Sequence, residues 1–170
     1  ILERAALTDL IVIKIAHPPS TGIRSLGSQV RTLITRSSRP ILAIPGMISS
    51  FQHALLAFDG SPKAKEALFV ATYLAEQWQT RLTIFTGLAE ESSDSSIQDF
   101  AQNYLEFNEI EARFITQKYS PETFKVTAEE INADLIIMGG YSGSILKEMT
   151  MGSSVNFMLR ESQLPILICR

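Results

Sequence analysis

One sequence pattern occurs twice in this chain at a fixed spacing. The segment DLIVIKIAHPPSTGIRSLGSQV, followed by RPILAI, aligns without gaps with DLIIMGGYSGSILKEMTMGSSV, followed by LPILIC. The two copies begin at Asp9 and Asp134, which lie 125 positions apart (134 − 9), and they end at Ile44 and Cys169. Self-similarity at a fixed offset indicates a duplicated structural unit. The fold must therefore accommodate two versions of the same strand, loop, helix and strand.

The repeat also suggests how the chain divides into domains. If one complete unit is residues 51–170, then residues 1–46 correspond only to the last third of a preceding unit. The chain begins at Ile1, and LERAAL reads like the end of a helix. We therefore expect the C-terminal part of a first domain at 1–46 and a complete second domain at 51–170.

Composition excludes several classes of protein. The net charge of −3 and a pI near 5.4 argue against a nucleic-acid binder with a basic face. No apolar run reaches the roughly 18 residues that a membrane-spanning helix needs, so no membrane partner is expected. Cys169 is the single cysteine, which excludes an intrachain disulfide. These features favour a cytoplasmic location.

From residue 51 onward, short apolar runs alternate with helical patterns. Strands are expected at 54–58, 82–86, 111–115, 134–138 and 165–169, with helices between them. This order predicts an α/β fold with a five-stranded parallel sheet covered by helices on both faces. Ligands of such sheets bind at the carboxyl ends of the strands. The search for a site narrows to the loops that follow Phe58, Thr86, Ile115 and Met138.

The loop after Met138 has the residues that a phosphate chain requires. Gly139 and Gly140 lack a Cβ and let a ligand approach the backbone. Further along, Gly152, Ser153 and Ser154 open a predicted helix, whose free amides and hydroxyls attract anions. The alternative is that the glycines form a plain turn and Ser153 is an ordinary helix cap.

A second candidate loop, FDGSPKA, follows the first strand of the complete unit. Asp59 is suited to accept hydrogen bonds from an adenine amino group or a ribose hydroxyl, and Gly60 permits the turn into a helix. Ser61 is predicted to cap that helix and Pro62 to occupy its first turn. The alternative is a turn without a ligand, because Asp-Gly followed by Ser-Pro is strong turn chemistry on its own.

Taken together, ALLAFDGSPKAKEALFVATYLA, DLIIMGGY, GSS and PILIC resemble the universal stress protein family. The resemblance covers residues 51–170 throughout and residues 1–46 as the tail of a preceding copy, as in a tandem member. It implies the doubly wound, adenine-nucleotide alpha-hydrolase-like fold. It also implies a ligand, since many members bind ATP through Gly, two residues, Gly, nine residues, then Gly with Ser or Thr.

The family pattern maps onto this sequence with one departure. Gly139 takes the first glycine position, Gly152 with Ser153 the closing pair, and Ser142 stands where the second glycine is expected. A shifted register through Gly140 and Gly143 restores both glycines but leaves eight residues before Gly152. The residues that the resemblance assigns to the nucleotide are Phe58, Asp59, Gly87, Met138, Gly139, Gly140, Ser142, Gly152, Ser153 and Ser154.

The first copy lacks the loop glycines, because Lys14 and His17 stand at their positions. We expect Lys14 to fill the space that phosphates need, which makes the first copy a non-binding partner. Strands 41–44 and 166–169 are expected at sheet edges, and family members commonly pair these strands across a dimer. An internal pairing of the two copies, or a homodimer, is therefore expected.

Three functions remain open. The first is a regulatory protein that binds ATP, ADP or AMP, with Mg²⁺ on the phosphates, in a stress response. The second is a nucleotide-free interaction module in which Ser142 marks a lapsed site. The third is a slow ATP hydrolase, which is disfavoured because no general base or histidine-rich signature accompanies the phosphate loop. We expect no catalytic residue, no resident metal site and no enzymatic activity.

Overall fold

The computed structural model describes residues 7–15, 28–46, 49–88, 96–140 and 153–170. Strands and helices alternate along these ranges. The strands are β1 (Ile11–Lys14), β2 (Ile41–Ile44), β3 (His53–Ala57), β4 (Arg81–Leu88), β5 (Ala112–Lys118), β6 (Leu135–Gly139) and β7 (Ile166–Cys169). The helices are α1 (Ser28–Arg36), α2 (Pro62–Trp78), α3 (Ser96–Phe107), α4 (Pro121–Glu130) and α5 (Ser153–Glu161).

All seven described strands belong to one sheet, in the order β1-β2-β7-β6-β3-β4-β5. Strands β3 to β7 pair in parallel with one another, as the alternation of apolar runs and helical patterns predicts. The strand order reverses at β3, because β4 and β5 lie on one side of it and β6 and β7 lie on the other. A crevice at such a reversal is where ligands of open parallel sheets bind.

The strand count corrects the five-stranded prediction. Strands β1 and β2 extend the same sheet, because β2 pairs antiparallel with β7. Ile41 lies opposite Ile168, and Ala43 lies opposite Ile166. The α/β class and the parallel block of residues 51–170 are confirmed, but the sheet has seven described strands and one antiparallel junction. Residues 41–44 therefore cover the edge that β7 would otherwise expose.

Apolar side chains cover both faces of the sheet. On β3, Leu55 faces one core, which α4 and α5 cover, while Ala54 and Leu56 face the other, which α2 and α3 cover. All three are fully buried. Strands buried on both faces explain the continuous apolar runs that the sequence shows there. Among the described residues, no helix is long and apolar enough to cross a membrane.

Helix α2 begins as its sequence predicts. Ser61 caps the helix by accepting a hydrogen bond from the Ala64 amide at 3.2 Å, and Pro62 occupies the first turn. The helix ends at Trp78, after which Gln79 adopts a left-handed conformation with φ of 58°. The Trp78 ring remains 55% exposed and stacks on Phe51. These local signals fix the position at which the chain leaves β3 for the helix.

A polar cluster joins the amino ends of β3 and β6. The Asp134 carboxylate accepts hydrogen bonds from the amides of His53 (2.8 Å) and Gln52 (3.0 Å) and from the Ser50 hydroxyl (3.0 Å). Burial by itself would raise the pKa of Asp134, but these hydrogen bonds outweigh it and lower the pKa. The cluster ties the two central strands together at the edge opposite the candidate ligand loops.

His53 makes stability depend on pH. Its ring nitrogens lie 3.1 Å from the Ile131 carbonyl oxygen and 2.9 Å from Thr83 Oγ1. Burial, followed by the neighbouring Arg81, lowers its pKa below the ordinary 6.5, although Asp134 opposes this and Arg113 adds to it. The unfolded chain therefore takes up this proton at a higher pH than the folded chain, and stability falls as the pH drops below 6.5.

We expect the free energy of unfolding to decrease more between pH 7.5 and 5.5 in the intact chain than in a His53→Gln variant. Urea unfolding at both pH values measures the difference. Asp134 does not contribute in this window, because its lowered pKa lies below 3.8. An equal decrease in both proteins would show that His53 does not carry the effect.

Candidate functional site

The carboxyl ends of β3, β4 and β6 lie at one edge of the sheet, and a residue predicted to bind the nucleotide lies at or near each of these ends. Asp59 follows β3, Gly87 lies near the end of β4, and Gly139 ends β6. Because β3 pairs with both β4 and β6, the fold brings the three ends together. The edge is therefore built around the turn from β3 into α2.

Asp59 organises that turn. Its Oδ1 accepts a hydrogen bond from the Ser61 amide at 3.0 Å. Gly60 has a φ of +74°, and a Cβ there would lie 3.3 Å from Ile97 Cγ2. Within the described ranges, no donor contacts the second carboxylate oxygen of Asp59. One oxygen of Asp59 therefore stabilises the turn, as expected of a turn without a ligand, and the other oxygen is available to a ligand.

Gly139 lies against the first turn of α2. A Cβ built on it would lie 3.0 Å from Lys63 Cβ, 3.1 Å from the Lys63 carbonyl carbon and 3.2 Å from the Ala64 amide nitrogen. Two of these contacts are with backbone atoms, which cannot move without displacing the helix. The missing Cβ at Gly139 thus lets the end of β6 approach the amino end of α2, and a Cβ there would force the two apart by a few tenths of an ångström.

Gly140 packs against the end of β7. Its amide donates a hydrogen bond of 2.6 Å to the Cys169 carbonyl oxygen, and a Cβ would lie 3.0 Å from that oxygen. The Cys169 side chain is buried, which, with Glu66 nearby, raises the pKa of its thiol to about 12. The thiol therefore stays protonated at neutral pH. Gly140 packs against the end of β7, whether or not it also contacts a nucleotide as predicted.

Gly87 accommodates Tyr119. A Cβ on Gly87 would lie 2.5 Å from Tyr119 Cβ and 2.7 Å from Cδ2 of its ring. Such distances are too short for any side chain, so the absence of a Cβ at Gly87 is what lets the tyrosine pack there. The family resemblance assigns Gly87 to the border of an adenine, and that assignment stays a prediction.

Ser153 and Ser154 begin helix α5, as the sequence predicts. The Ser154 side chain is fully buried and forms a hydrogen bond with Tyr119. Burial raises the pKa of the Tyr119 phenol, this hydrogen bond opposes the shift, and the negative charges of Glu122 and Asp59 add to it. The tyrosine is therefore protonated at neutral pH.

Two further predicted residues lie in the core. Phe58 and Met138 are each only 2% exposed. The Phe58 ring stacks on Phe100 at 6.3 Å between centroids, and Met138 packs on the opposite face of the sheet. Both side chains therefore belong to the core beneath the candidate site. Ser142 and Gly152, like the alternative position Gly143 and the first-copy residue His17, lie outside the described residues.

The structure adds two residues that the sequence analysis did not select. Tyr119 directly follows β5, in the region that the sequence predicts as the loop after Ile115. Thr86 Oγ1 is buried beside Gly87 and has no hydrogen-bond partner among the described residues. An aromatic residue at the end of a strand was the only available signal for Tyr119. Within the described part of the chain, no group of three or more His, Cys, Asp or Glu side chains could hold a metal.

Comparisons with known proteins agree with this architecture. Residues 50–170 match the model of the universal stress protein family. A universal stress protein from Archaeoglobus fulgidus DSM 4304 superposes with a TM-score of 0.81 at 20% identity, over 99% of this chain and 63% of that one. The chain thus spans less than two thirds of that protein's length. A search of curated proteins gives no match.

Shorter structures match most of the same region. A universal stress protein solved in complex with cAMP has a TM-score of 0.59 at 22% identity, covering 70% of this chain and 96% of its own. Universal stress protein UspA from Lactobacillus plantarum has a TM-score of 0.56 at 16% identity, covering 72% and 100%. At these identities the structural likeness shows the fold.

Proposed function

This chain belongs to the universal stress protein family, and we propose that it binds ATP or another adenine nucleotide as a regulatory ligand in a stress response. The observation that carries the proposal is the close approach of Gly139 to the first turn of α2, beside the turn that Asp59 organises. A glycine backbone and an acidic hydrogen-bond acceptor thus lie where the strand order of the sheet reverses. Both features suit a nucleotide.

Each part of a nucleotide has a matching group at this edge. The second oxygen of Asp59 accepts from the adenine amino group or a ribose hydroxyl. Gly139 would let the ribose and phosphates approach the backbone, and Ser142, Gly152 and the start of α5 would bind phosphate oxygens. Mg²⁺ would be held by the phosphates. The cAMP complex of a neighbouring family member supports adenine nucleotides as the ligand class.

The strand pairing supports a tandem organisation. We propose that residues 1–46 are the tail of a first, non-binding domain and that β2 and β7 join it to the complete domain at 51–170. Lys14 ends β1 at the position that Gly139 has in the second copy, so the first copy presents a side chain at that point. A homodimer through the same strands is the alternative. Neither nucleic acid nor membrane is a proposed partner, and the proposed location is the cytoplasm.

A nucleotide-free interaction module is the second candidate. It is favoured by the burial of Ser154, whose side chain forms a hydrogen bond with Tyr119. The departure at Ser142 supports the same alternative. The two candidates differ in one measurable property, which is whether the chain binds ATP at all.

Calorimetric titration with ATP is expected to show binding that Asp59→Asn weakens about 10- to 100-fold, as the loss of a hydrogen bond to a charged group predicts. The asparagine retains an acceptor for the Ser61 amide, so the turn is preserved. Asp9→Asn, an exposed aspartate in the first copy, is the matched control and should leave binding unchanged. No heat of binding in the intact chain would contradict nucleotide binding, and unchanged affinity in Asp59→Asn would remove Asp59 from the site.

A further inference from the structure

Strand β5 is the last strand at one end of the described sheet. It extends over seven residues, Ala112–Lys118, and pairs on its inner side with β4. No described strand pairs with its outer edge. An unpaired edge presents a row of backbone amide and carbonyl groups, which is a template for a further strand. The outermost strand at the other end, β1, has only four residues, so β5 offers the longer open edge.

A groove of about 620 Å³ lies between the end of α3 and the amino half of β5. Apolar side chains, among them Leu105 and Phe114, line part of it. Three exposed carboxylates also line it, those of Glu106, Glu109 and Glu111. No lining residue has a positive side chain, and within the described part of the chain none of the three carboxylates forms an ion pair. The groove is therefore a negatively charged surface beside the open edge.

The side of β5 that faces this groove carries a positive charge at its carboxyl end. Thr116 on β5 donates a hydrogen bond to Gln98 Oε1 on α3 at 2.6 Å, so its side chain lies on the α3 side of the sheet. Phe114, two residues earlier, lines the groove on that same side. Lys118, two residues later, shares the side and is exposed, without an ion pair to any described residue. One side of β5 therefore has carboxylates near its amino end and an ammonium group at its carboxyl end.

This distribution of charge makes the edge complementary to itself. A symmetric dimer pairs two identical edges antiparallel, and with Ile115 opposite Ile115 all seven residues of β5 have a partner. The register puts Ala112 opposite Lys118 and Arg113 opposite Gln117, so no like charges are opposed. Because the side chains of paired residues lie on the same side of a sheet, each Lys118 extends toward the acidic groove of the other copy.

A lysine on an edge strand ordinarily keeps other strands away. The reason is that pairing would remove its ammonium group from water without giving it a partner charge. In the register centred on Ile115, three carboxylates receive that ammonium group. The lysine therefore favours this pairing over the addition of an arbitrary strand.

We propose that two copies of this chain associate as a symmetric dimer through the outer edges of β5, with Lys118 of each copy in the acidic groove of the other. The sheet then continues across the interface. The contact between two strand edges is small, which makes the association weak and reversible. The dimer uses a different strand from the alternative through β2 and β7, and it does not depend on the proposed nucleotide binding.

Sedimentation velocity from micromolar to millimolar concentration tests the dimer on the intact chain. We expect the chain to dimerise as its concentration rises. Lys118→Glu should weaken this association about 10- to 100-fold, because both copies of the contact turn from attractive to repulsive. The matched control is Lys14→Glu, which makes the same change at an exposed lysine at the carboxyl end of β1 and should leave the association unchanged.

A charge exchange tests the register. The double variant Glu109→Lys, Glu111→Lys reverses two of the groove carboxylates and should also weaken self-association. Mixing it with Lys118→Glu should restore a dimer of nearly the original affinity, because each reversed groove then meets a reversed lysine. A variant that fails to fold cannot be rescued in this way. In ¹H–¹⁵N correlation spectra, the amides of residues 112–118 should shift with protein concentration.

Each other outcome overturns the proposed dimer. An intact chain that stays monomeric at millimolar concentration does not associate through β5. Equal weakening by Lys118→Glu and Lys14→Glu would mean that overall charge controls the association. If the mixed variants stay apart, the antiparallel register is wrong. Concentration-dependent shifts confined to β2 and β7 would assign the association to those strands.

Discussion

A Gly139→Val substitution is expected to abolish detectable ATP binding and to lower the free energy of unfolding by about 1–3 kcal/mol, the usual cost of overpacking. The valine Cβ would lie 3.0–3.2 Å from Lys63 and Ala64, and the added methyl groups would reach further. Because two of the three atoms in its way belong to the backbone, the end of β6 and the start of α2 must move apart. That separation changes the geometry of the proposed site.

The control is Ala43→Val, which enlarges a fully buried residue on another strand of the sheet. Ala43 lies on β2 opposite Ile166, away from the carboxyl edge of β6. We expect a comparable loss of stability in urea unfolding, with ATP affinity retained in calorimetry. Equal retention of ATP binding in Gly139→Val would show that the approach of β6 to α2 is not part of the site.

Phe124→Ala is expected to have the largest effect on stability, about 3–5 kcal/mol, as for other large aromatic residues truncated in a core. Phe124 on α4 is fully buried, and its ring meets Phe85 edge-on with centroids 5.2 Å apart. Its removal leaves a cavity between α4 and the sheet. Urea unfolding at neutral pH measures the loss.

Phe107→Ala provides the control for that measurement. Phe107 ends α3 and is 87% exposed, so its truncation should change the free energy of unfolding by no more than about 0.5 kcal/mol. A loss below 1 kcal/mol in Phe124→Ala would mean that the packing between α4 and the sheet contributes less than its burial indicates.

The fold of residues 51–170 was predictable because its signals are local. Apolar runs of strand length marked all five strands within a few residues, and the Ser61 cap with Pro62 marked the start of α2. The continuation of the sheet through β1 and β2 was not captured in the strand count. Only the family resemblance suggested that 41–44 pairs with 166–169, because this pairing joins the edge of β7 to a distant segment and no local pattern encodes it. The end of β5 was also missed, because residues 116–118 are polar and exposed in alternation.

The site was predictable in outline but not in its contacts. Asp59 and Gly139 could be selected because strand ends of a parallel sheet share one edge, and the structure brings their surroundings together. Gly87 could be selected as a glycine at a strand end, but its contact with Tyr119 depends on tertiary packing between two strands. The hydrogen bond between Tyr119 and Ser154 is equally invisible in a sequence pattern.

The most direct test of the account follows backbone amide chemical shifts in an ¹H–¹⁵N correlation spectrum during an ATP titration. We expect the largest shifts at the carboxyl edge, at Gly60, Gly139 and Ser154, and none at His53 on the opposite edge. This pattern would place the nucleotide between the β3–α2 turn and the start of α5. A spectrum that stays unchanged at millimolar ATP, or shifts confined to the edge at His53, would contradict the account.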